Sequence, residues 1–436
     1  MTPLTIGLIG VVLFLLLIFF RIPIAFAMII VGFAGFSIIQ SSYTAALSML
    51  SADMMSTFSS YSLSVIPMFV WMGFIAFYSG VGTNLYSFTY KLIGHRRGGL
   101  AMATQLACAI FGAICGSNTA TAATMGAIAL PEMRKYRYND SLSSASIAAG
   151  GALGVLIPPS VIFIVYGIQT QQSIGKLFIA GIIPGIMLML LYMTAIYLVV
   201  LRHPSYGPAS RKFTWRERFT GLQNGLFEVL FTFCISLGGL FAGWFTPTEA
   251  GAVGTASILL ITVLRRQLNW SGFVKSMAST VKTTAMIMFL VAGAGVFGKF
   301  IAVSRIPAEL ARWATSLVLP SFAVIGIIYL VYLILGCVID ALALILLTIP
   351  IFYPVVVVHL NYDPIWFGVV IVLVVAMGVI TPPVGMNVFI IKGVAKDIPV
   401  ETIFKGVMPF VLALFACIAL LILFPGIVTF LPGILK

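Results

Sequence analysis

The chain of 436 residues alternates between long apolar stretches and short polar turns. In the first half the apolar stretches lie near residues 4–20, 22–40, 56–80, 101–114, 118–131, 142–170 and 176–200. In the second half they lie near residues 225–244, 247–264, 277–303, 318–336, 341–358, 364–392 and 402–430. The strict alternation of apolar and polar residues typical of membrane-barrel strands is not seen. The pattern therefore predicts an all-α polytopic membrane protein.

Composition agrees with this prediction, because 61% of the residues are hydrophobic and only 8% are charged. The net charge of +13 would suggest nucleic acid as a partner of a soluble chain, but membrane orientation explains it here and no nucleic acid is expected. The five cysteines lie in apolar stretches without metal-ligand spacing, which indicates packing residues. The first apolar stretch lacks a basic leader and a cleavage site, so we expect a retained helix.

Two proline pairs interrupt apolar stretches that would otherwise be membrane-length helices. Pro158-Pro159 removes a backbone donor and disfavours helix before it, so one helix should stop near Ile157 and another begin near Ser160. Pro382-Pro383 should act in the same way, with a new helix from Val384. Broken backbone at membrane depth is tolerated where it is buried in protein or lines a watery cavity. Transporters build ion and substrate sites from such breaks.

Two further stretches are too short to cross a membrane. Residues 101–114 and 118–131 each fall below the roughly 20 helical residues that a bilayer requires, and the polar turn 116–119 joins them. They predict a re-entrant hairpin that enters and leaves on one face. The second half repeats this arrangement around residues 336–340, opening to the opposite face.

Basic residues are distributed unevenly over this layout. Of the 24 lysines and arginines, 19 fall on one face of the predicted membrane layout and five on the other. The five are Lys176, Lys299, Arg305, Arg312 and Lys436. The larger set marks the cytoplasmic side, so both termini are predicted to lie on the outer side of the membrane.

The two halves resemble each other at nearly constant spacing. The matched residues are Pro158 with Pro382 and Pro23 with Pro247, each 224 apart, Gly116 with Gly336, 220 apart, and Pro184 with Pro409, 225 apart. Each half has five crossings and one hairpin, so the halves must be oppositely oriented. The predicted fold is an inverted repeat with two re-entrant hairpins and two broken helices, as in alternating-access transporters.

Polar residues stand at both hairpin turns. Ser117, Asn118, Thr119 and Thr121 offer oxygen atoms suited to hard cations such as sodium, or they simply cap short helices. Asp340 in the second hairpin is an acidic residue at membrane depth and so a functional candidate, although it could equally be only a helix N-cap.

The broken helices offer groups for an anion. Helix N-termini at Ser160 and Val384 carry free amides that suit a carboxylate, and Gly385 and Asn387 follow the second break. The layout places no arginine or lysine at mid-membrane, so an anion would depend on these dipoles and on bound cations. Transport should therefore be coupled to sodium.

Other candidate residues receive structural interpretations. Glu249, Glu228 and Glu132 are interpreted as favourable charges in the first turn of a helix. The three histidines fall in predicted loops without a nucleophile at shared depth, so no catalysis is assigned to them. No ATP-binding element is visible, because GIQTQQSIGK lacks the first glycine of the phosphate-loop pattern.

Four motifs resemble the large membrane subunit of tripartite ATP-independent periplasmic (TRAP) transporters. They are GSNTATAATMGAIALPEM (116–133), GALGVLIPPSV (151–161) with SIGKLFIAGIIPG (173–185), FTPTEAGAVG (245–254) and VITPPVGMN (379–387). The resemblance covers essentially the whole chain. It implies an elevator-type permease of the ion transporter superfamily, driven by a sodium gradient. It also implies a periplasmic substrate-binding protein, a small membrane subunit, which we expect as a separate chain, and organic acid substrates such as sialic acids or dicarboxylates.

The same resemblance implies which residues form the sites. Sodium is expected at Ser117, Asn118, Thr121, Gly154, Pro158, Gly336, Asp340, Thr381 and Pro382. Substrate is expected at Asn118, Thr119, Ser160, Gly385 and Asn387. Many relatives carry another small-residue pair after the first hairpin's glycine and serine, so this tip departs from the common pattern. No cofactor beyond sodium ions is expected.

Domains follow from the repeat and the resemblance. Residues 1–100 and 225–317 are expected to form a scaffold in the lipid bilayer, and residues 101–200 and 318–436 a transport domain. Residues 201–224 would be a cytoplasmic basic linker.

Two other functions fit parts of the pattern. A stand-alone sodium/anion symporter would need no soluble partner. An intramembrane hydrolase would need an activated serine, a pair of carboxyl groups or a zinc cluster at depth, and a single Asp340 argues against it. The chain is therefore expected not to be an enzyme.

Overall fold

The computed structural model describes residues 2–220, 226–316 and 320–434. These residues form helices and connecting turns, without a β-strand among them. Some parts of the sequence-based layout fall outside the described residues, namely linker residues 221–224, residue 225, residues 317–319 and Lys436. The helical fold class is confirmed.

Eleven helices precede the gap after residue 220. They are α1 (Pro3–Phe19), α2 (Ile24–Gln40), α3 (Tyr43–Phe58), α4 (Val65–Tyr78), α5 (Val81–Ile93), α6 (Gly99–Cys115), α7 (Asn118–Lys135), α8 (Asp140–Leu153), α9 (Val161–Gln169), α10 (Ile174–Arg202) and α11 (Trp215–Thr220).

The second half repeats this succession of long and short helices. They are α12 (Phe227–Phe233), α13 (Gly239–Phe241), α14 (Pro247–Leu264), α15 (Trp270–Val303), α16 (Ile306–Ser316), α17 (Ser321–Gly336), α18 (Ala341–Tyr353), α19 (Pro364–Gly378), α20 (Met386–Val394), α21 (Val400–Leu423) and α22 (Gly426–Ile434). Two π-helical turns, Cys234–Gly238 and Pro354–His359, extend α12 and α18.

Several helices are long and apolar enough to cross a membrane. Within the described ranges there are six: Tyr61–Tyr78, Ile174–Arg202, Pro247–Leu264, Trp270–Val303, Ala341–His359 and Val400–Leu423. The first of these includes a 3₁₀ turn before α4. This agrees with the multi-pass membrane protein that the apolar pattern predicts.

Helices α3 and α5 lie outside the predicted stretches because neither is continuously apolar. Polar residues interrupt both, but α5 buries an apolar stripe of Val81, Leu85 and Phe88. This i, i+4, i+7 spacing is that of an amphipathic helix packed on one face, and α5 packs against α6 and α7. A criterion based on apolar runs therefore misses it.

The helix breaks differ in position from the sequence-based prediction. Helix α8 ends at Leu153 rather than near Ile157, and the second break releases a new helix at Met386 rather than Val384. Both shifts have a local cause. The Pro158 ring would clash with the carbonyl of residue 154, four positions earlier, so α8 ends before Gly154. Gly385 precedes α20 with a φ of +57°, which favours glycine. The helix predicted near Ser160 begins at Val161, with Ser160 as its N-cap.

The helices pack in two groups that meet along one seam. In the first group α2 packs on α15, and α4 packs on both α14 and α15. In the second group α6, α7 and α8 pack on one another, α17 packs on α19, and α20 packs on α7 and α8. Helices α4 and α15 contact the second group at α6, α9 and α18. The group that contains the two helix breaks thus lies beside α4 and the 34-residue α15.

The segment of residues 203–213, which follows α10, is tied to the helix ends around the first hairpin. Three backbone hydrogen bonds hold it, donated by Gly98 N to Gly207 O (2.8 Å), by Ser210 N to Gly94 O (3.1 Å) and by Asn139 N to Tyr206 O (3.0 Å). We call it the post-α10 segment. The first part of the predicted linker is therefore packed against the hairpin.

Candidate functional site

Both breaks are built from a glycine and a proline pair. The peptide bonds Pro158-Pro159 and Pro382-Pro383 are both cis. At the first break the Ser160 hydroxyl accepts a hydrogen bond from Phe163 N at 3.4 Å and so caps α9. At the second break Gly385 has a φ of +57°, in the left-handed region that favours glycine.

The tip of the first hairpin rests directly on the first break. Gly116 has a φ of +61°, and a methyl group there would stand 2.6 Å from the Pro159 carbonyl oxygen. A methyl group at Gly154 would stand 2.5 Å from Thr121 Oγ1 and 2.8 Å from the Ser117 carbonyl oxygen. Only glycine allows this approach, so the predicted pairing of tip and break is realised in the structure.

Hydrogen bonds within the tip satisfy some of its polar atoms but leave others without a partner. Ser117 Oγ accepts from Ala120 N at 3.4 Å and caps α7, and Asn118 Oδ1 accepts from Thr119 N at 2.8 Å. By contrast, Asn118 Nδ2 and Thr121 Oγ1 are buried without a hydrogen-bond partner. A buried polar atom without a partner is costly, so these two atoms are candidates for ligand contacts.

The second break contributes a third such atom. Asn387 is fully buried, and its Nδ2 donates to the Ala148 carbonyl oxygen at 3.0 Å, while its Oδ1 has no hydrogen-bond partner. A methyl group at Gly151 would stand 2.9 Å from Asn387 Nδ2 and 3.0 Å from the Asn118 carbonyl oxygen. Asn118 and Asn387, which are far apart in the sequence, therefore meet at Gly151.

A cavity of about 460 Å³, which we call the seam cavity, lies between the two groups of helices. Residues of both hairpin turns line it, and α4 and α15 form the opposite wall. The predicted site residues in this lining are Ser117, Asn118, Thr119 and Asp340. Asp340 Oδ2 also accepts from Leu342 N at 3.1 Å, so the residue caps α18 and faces the cavity at once.

The cavity wall carries little charge. Among the described lining residues Asp340 is the only side chain of Asp, Glu, Lys or Arg, and the rest are mostly apolar or small. An anion entering this space would meet a carboxylate without a compensating cationic side chain in the wall. The wall thus suits a ligand that arrives together with a cation.

The other predicted site residues do not line this cavity. Ser160 is buried as a helix cap, Pro158 is buried, and Gly385 packs against the Phe404 ring. At the second break Thr381 Oγ1 donates to the Met377 carbonyl oxygen at 2.6 Å, and Pro382 is exposed.

Two glycine contacts relate the two hairpins. A methyl group at Gly112 would stand 2.7 Å from Gly154 Cα, and one at Gly378 would stand 2.8 Å from Gly336 Cα. The spacing is the same for both partners (336 − 112 = 224 and 378 − 154 = 224). In packing, Gly336 therefore corresponds to Gly112 at a spacing of 224. Gly116 and Gly336 nevertheless both stand where the first helix of a hairpin ends, at a spacing of 220.

Three acidic residues can now be compared with their predicted roles. Glu249 lies in the first turn of α14 and forms a capping box with Thr246, as expected. Glu132 lies near the C-terminal end of α7 and pairs with Lys135 at 2.7 Å, so its assignment to a first turn is wrong. Glu228 lies in the first turn of α12, and it is also fully buried and accepts from Arg265 Nη1 at 2.7 Å.

Comparisons with known proteins extend this description. Residues 11–427 match the family model described as "Tripartite ATP-independent periplasmic transporter, DctM component". The C4-dicarboxylate TRAP transporter large permease protein DctM of Pseudomonas aeruginosa is 36% identical over 375 residues, covering 86% of this chain and 85% of the relative. The sialic acid TRAP transporter large permease protein SiaM of Vibrio cholerae is 33% identical over 419 residues, covering 95% and 96%.

A solved structure shares the fold. The YdaH transporter of Alcanivorax borkumensis superposes with a TM-score of 0.62 at 14% sequence identity, covering 88% of this chain and 89% of that one. At this identity the likeness concerns the fold alone.

Proposed function

Since this chain belongs to the DctM family, the large membrane subunits of TRAP transporters, we propose that it imports an organic acid anion by sodium-driven alternating access. Members of the family are transporter permeases rather than enzymes. The relatives named above carry C4-dicarboxylates and sialic acid. A carboxylate of one of these classes is the substrate that we propose for this chain.

The observation that carries the proposal is the seam cavity with its single acidic group. Its volume of about 460 Å³ lies in the range typical of small-molecule sites. Asn118 supplies both a lining surface and an unpartnered buried amide, which can donate to a carboxylate oxygen. Asn387 contacts the same glycine, Gly151, and adds a second buried amide side chain beside Asn118.

Sodium coupling is supported by oxygen atoms that converge at Gly154. Thr121 Oγ1, Ser117 O and Gly151 O would lie 2.5, 2.8 and 3.2 Å from a methyl group placed there. Hydroxyl and carbonyl oxygens are the ligands that hard cations prefer. A sodium ion bound by Ser117, Thr121 and the first break would place positive charge next to the anion. Gly154, Pro158, Asp340, Gly336, Thr381 and Pro382 remain the further proposed contributors.

The helix caps support an internal repeat, on which the proposed inverted-repeat elevator rests. The capping residues recur at nearly constant spacing, as Ser117 and Asp340, Asn139 and Asp363, Ser160 and Gly385, and Ser173 and Pro399. In the proposed motion the hairpins and broken helices of residues 101–200 and 318–436 slide along the scaffold of residues 1–100 and 225–317. The cavity lies at the seam where such sliding would alternate its access.

The proposed assembly contains two partners. A periplasmic binding protein would deliver the substrate, and a small membrane subunit would be a separate chain. We further propose an inner-membrane location with both termini in the periplasm, which follows from the excess of basic residues on the opposite face.

Reconstitution tests each part separately. The chain and its small subunit are placed in liposomes, and uptake of labelled succinate and labelled sialic acid is measured with and without sodium and the binding protein. We expect uptake of one substrate only when both are present. Uptake that persists without sodium would contradict the coupling, and uptake without the binding protein would favour a stand-alone symporter.

A further inference from the structure

The turn between α5 and α6 presents two arginines without acidic partners. Arg96 and Arg97 are both exposed, and within the described ranges no carboxylate forms an ion pair with either. Both line a second cavity, of about 360 Å³, at the Arg202 end of α10. We call it the arginine cavity. It is separate from the seam cavity, with which it shares no lining residue.

The turn is held in a fixed position against α10. Gly98, in the left-handed region with a φ of +72°, donates its backbone N–H to the Gly207 carbonyl oxygen at 2.8 Å. A methyl group at Gly98 would lie 3.1 Å from Val200 Cγ2, so the backbone packs tightly on the helix. The two guanidinium groups therefore project from a supported turn and not from a free loop.

The other residues that line the arginine cavity are mostly apolar, and some of them belong to the exposed side of α10. Met102, Tyr197, Val200 and Leu201 line the arginine cavity. Leu201 is 57% exposed, and Leu198 on the same helix is 54% exposed. Because α10 is long and apolar enough to span a membrane, these exposed leucines offer a surface suited to lipid chains. The cavity thus joins an apolar surface to a cationic rim.

Further positive charge surrounds this rim. The pKa of His95, next in the chain to Arg96, is lowered by burial and by the nearby charges of Arg218, Arg96 and Lys212. The last turn of α10 adds Arg202. A binding partner must therefore bring negative charge.

We propose that the arginine cavity binds an anionic phospholipid, with its phosphodiester between Arg96 and Arg97 and its acyl chains along the exposed face of α10. Arginine matches phosphate oxygens in a forked geometry, which favours it at such sites. A lipid is favoured over a free phosphate because Met102, Val200 and Leu201 supply an apolar surface that continues toward the bilayer.

Native mass spectrometry of the full chain, purified in detergent with any subunit that accompanies it, tests the proposal. Phosphatidylglycerol and phosphatidylcholine with the same acyl chains are titrated in turn, and inorganic phosphate is added as a competitor. We expect tighter binding of phosphatidylglycerol, weakened about 30-fold in the variant Arg96→Gln/Arg97→Gln because two cationic contacts are lost. Inorganic phosphate should compete only at far higher concentration than the lipid.

Two matched controls separate the cavity from general charge and hydrophobicity. Arg21→Gln/Arg266→Gln removes the same charge from exposed arginines elsewhere, and should keep the lipid. Leu201→Trp narrows the cavity without changing charge and should weaken binding, whereas Leu198→Trp should not. Equal binding of both lipids, or equal effects of the two double-arginine variants, overturns the proposal. Competition by inorganic phosphate at the concentration of the lipid would make it a site for free anions and also overturn it.

Discussion

The two helix breaks share their proline chemistry but differ in what covers them. At the first break residues 158–160 are buried, because the hairpin tip lies on Pro159 and α10 closes the other side through Gly181 and Gly185. At the second break Pro382, Pro383 and Val384 are exposed. A similar local sequence therefore gives a closed site in one half and an open loop in the other. Local chemistry makes the break, and tertiary packing decides whether it is enclosed.

The hairpin turns differ in charge as well. The first turn presents the neutral side chains of Ser117, Asn118 and Thr119, whereas the second presents Asp340. In the proposed mechanism the first half supplies enclosed dipoles and carbonyls, and the second half supplies the carboxyl group. The halves would thus have related backbones and different tasks, and this difference can be tested residue by residue.

The largest effect is expected from removing the close approach at the covered break. Gly116→Ala strains a residue with a φ of +61° and places a methyl group 2.6 Å from a backbone oxygen that cannot swing away. Uptake should fall about 100-fold through displacement of the tip. The matched variant Gly385→Ala has a similar positive φ, but its methyl group meets the movable Phe404 ring at 2.9 Å, and the nearest backbone atom, the Thr381 carbonyl oxygen, lies farther away at 3.2 Å. Its loss should be about tenfold.

Liposome uptake measures both variants, and gel filtration confirms that each is folded. Equal losses would contradict the distinction between a covered and an open break.

The next effect concerns the charge of the second hairpin. Asp340→Asn keeps a good N-cap and removes the acidic group that stands alone among the described residues lining the seam cavity, so sodium affinity should fall about 30-fold. Equilibrium binding of radioactive sodium measures this. Asp363→Asn is the control, because Asp363 caps α19 by accepting from Trp366 N at 2.7 Å and does not line the cavity. If both variants bind sodium alike, Asp340 is only a cap.

A smaller effect is expected from one hydroxyl in the first hairpin. Thr121→Val preserves shape and removes the buried Oγ1 that has no hydrogen-bond partner. Sodium affinity should fall about tenfold if this oxygen binds the ion. Thr124→Val, on the same helix, removes a hydroxyl already bonded to the Ala120 carbonyl oxygen at 2.7 Å and should leave sodium binding unchanged. An unchanged sodium affinity in Thr121→Val would show that Thr121 is not a sodium ligand.

The smallest effect concerns an exposed link between the halves. Arg134, at the end of α7, pairs with Asp397 after α20, and this contact holds the pKa of the Asp397 carboxyl below its ordinary value. A lowered folded-state pKa gives stability that is present above the carboxyl's ordinary pKa and is lost as the pH falls through the folded-state value.

Arg134→Gln should therefore lower Tm slightly at pH 7, with no difference from the wild type at a pH below the folded-state pKa of Asp397. Lys135→Gln, which breaks the Glu132 pair within α7, is the control. A Tm difference that does not depend on pH would show that the arginine acts through packing.

Much of the fold could be predicted because apolar runs indicate membrane helices and proline pairs indicate where such helices are interrupted. Amphipathic α5 was missed, since its apolar residues recur only on one face. The predicted end near Ile157 is misplaced because a proline disturbs the carbonyl four residues before it and not only its immediate neighbour, and α8 accordingly ends at Leu153. These errors concern residues whose conformation depends on packing partners.

The site could be predicted in part. Asn118, Thr121 and Asn387 were named as polar residues beside breaks, but Gly151, where the two asparagines meet, carries no chemical signal of its own. The ion pair of Glu228 with Arg265 joins residues 37 apart, and that of Arg134 with Asp397 joins residues 263 apart. A local sequence pattern cannot predict such ion-pair partners, because only the folded chain brings them together.

The hydrogen bonds of the post-α10 segment constrain any motion of the hairpins. Tyr206 is bonded to Asn139 in the proposed transport domain, and Gly207 and Ser210 are bonded to Gly98 and Gly94 in the turn before α6. If these bonds persist, the turn moves together with the hairpin, and the moving part begins before residue 101. In the proposed sliding motion, the chain beyond Ser210, the last residue held by these bonds, would extend between the moving and stationary parts. The connection between the halves would in this way set an upper limit on the length of the stroke.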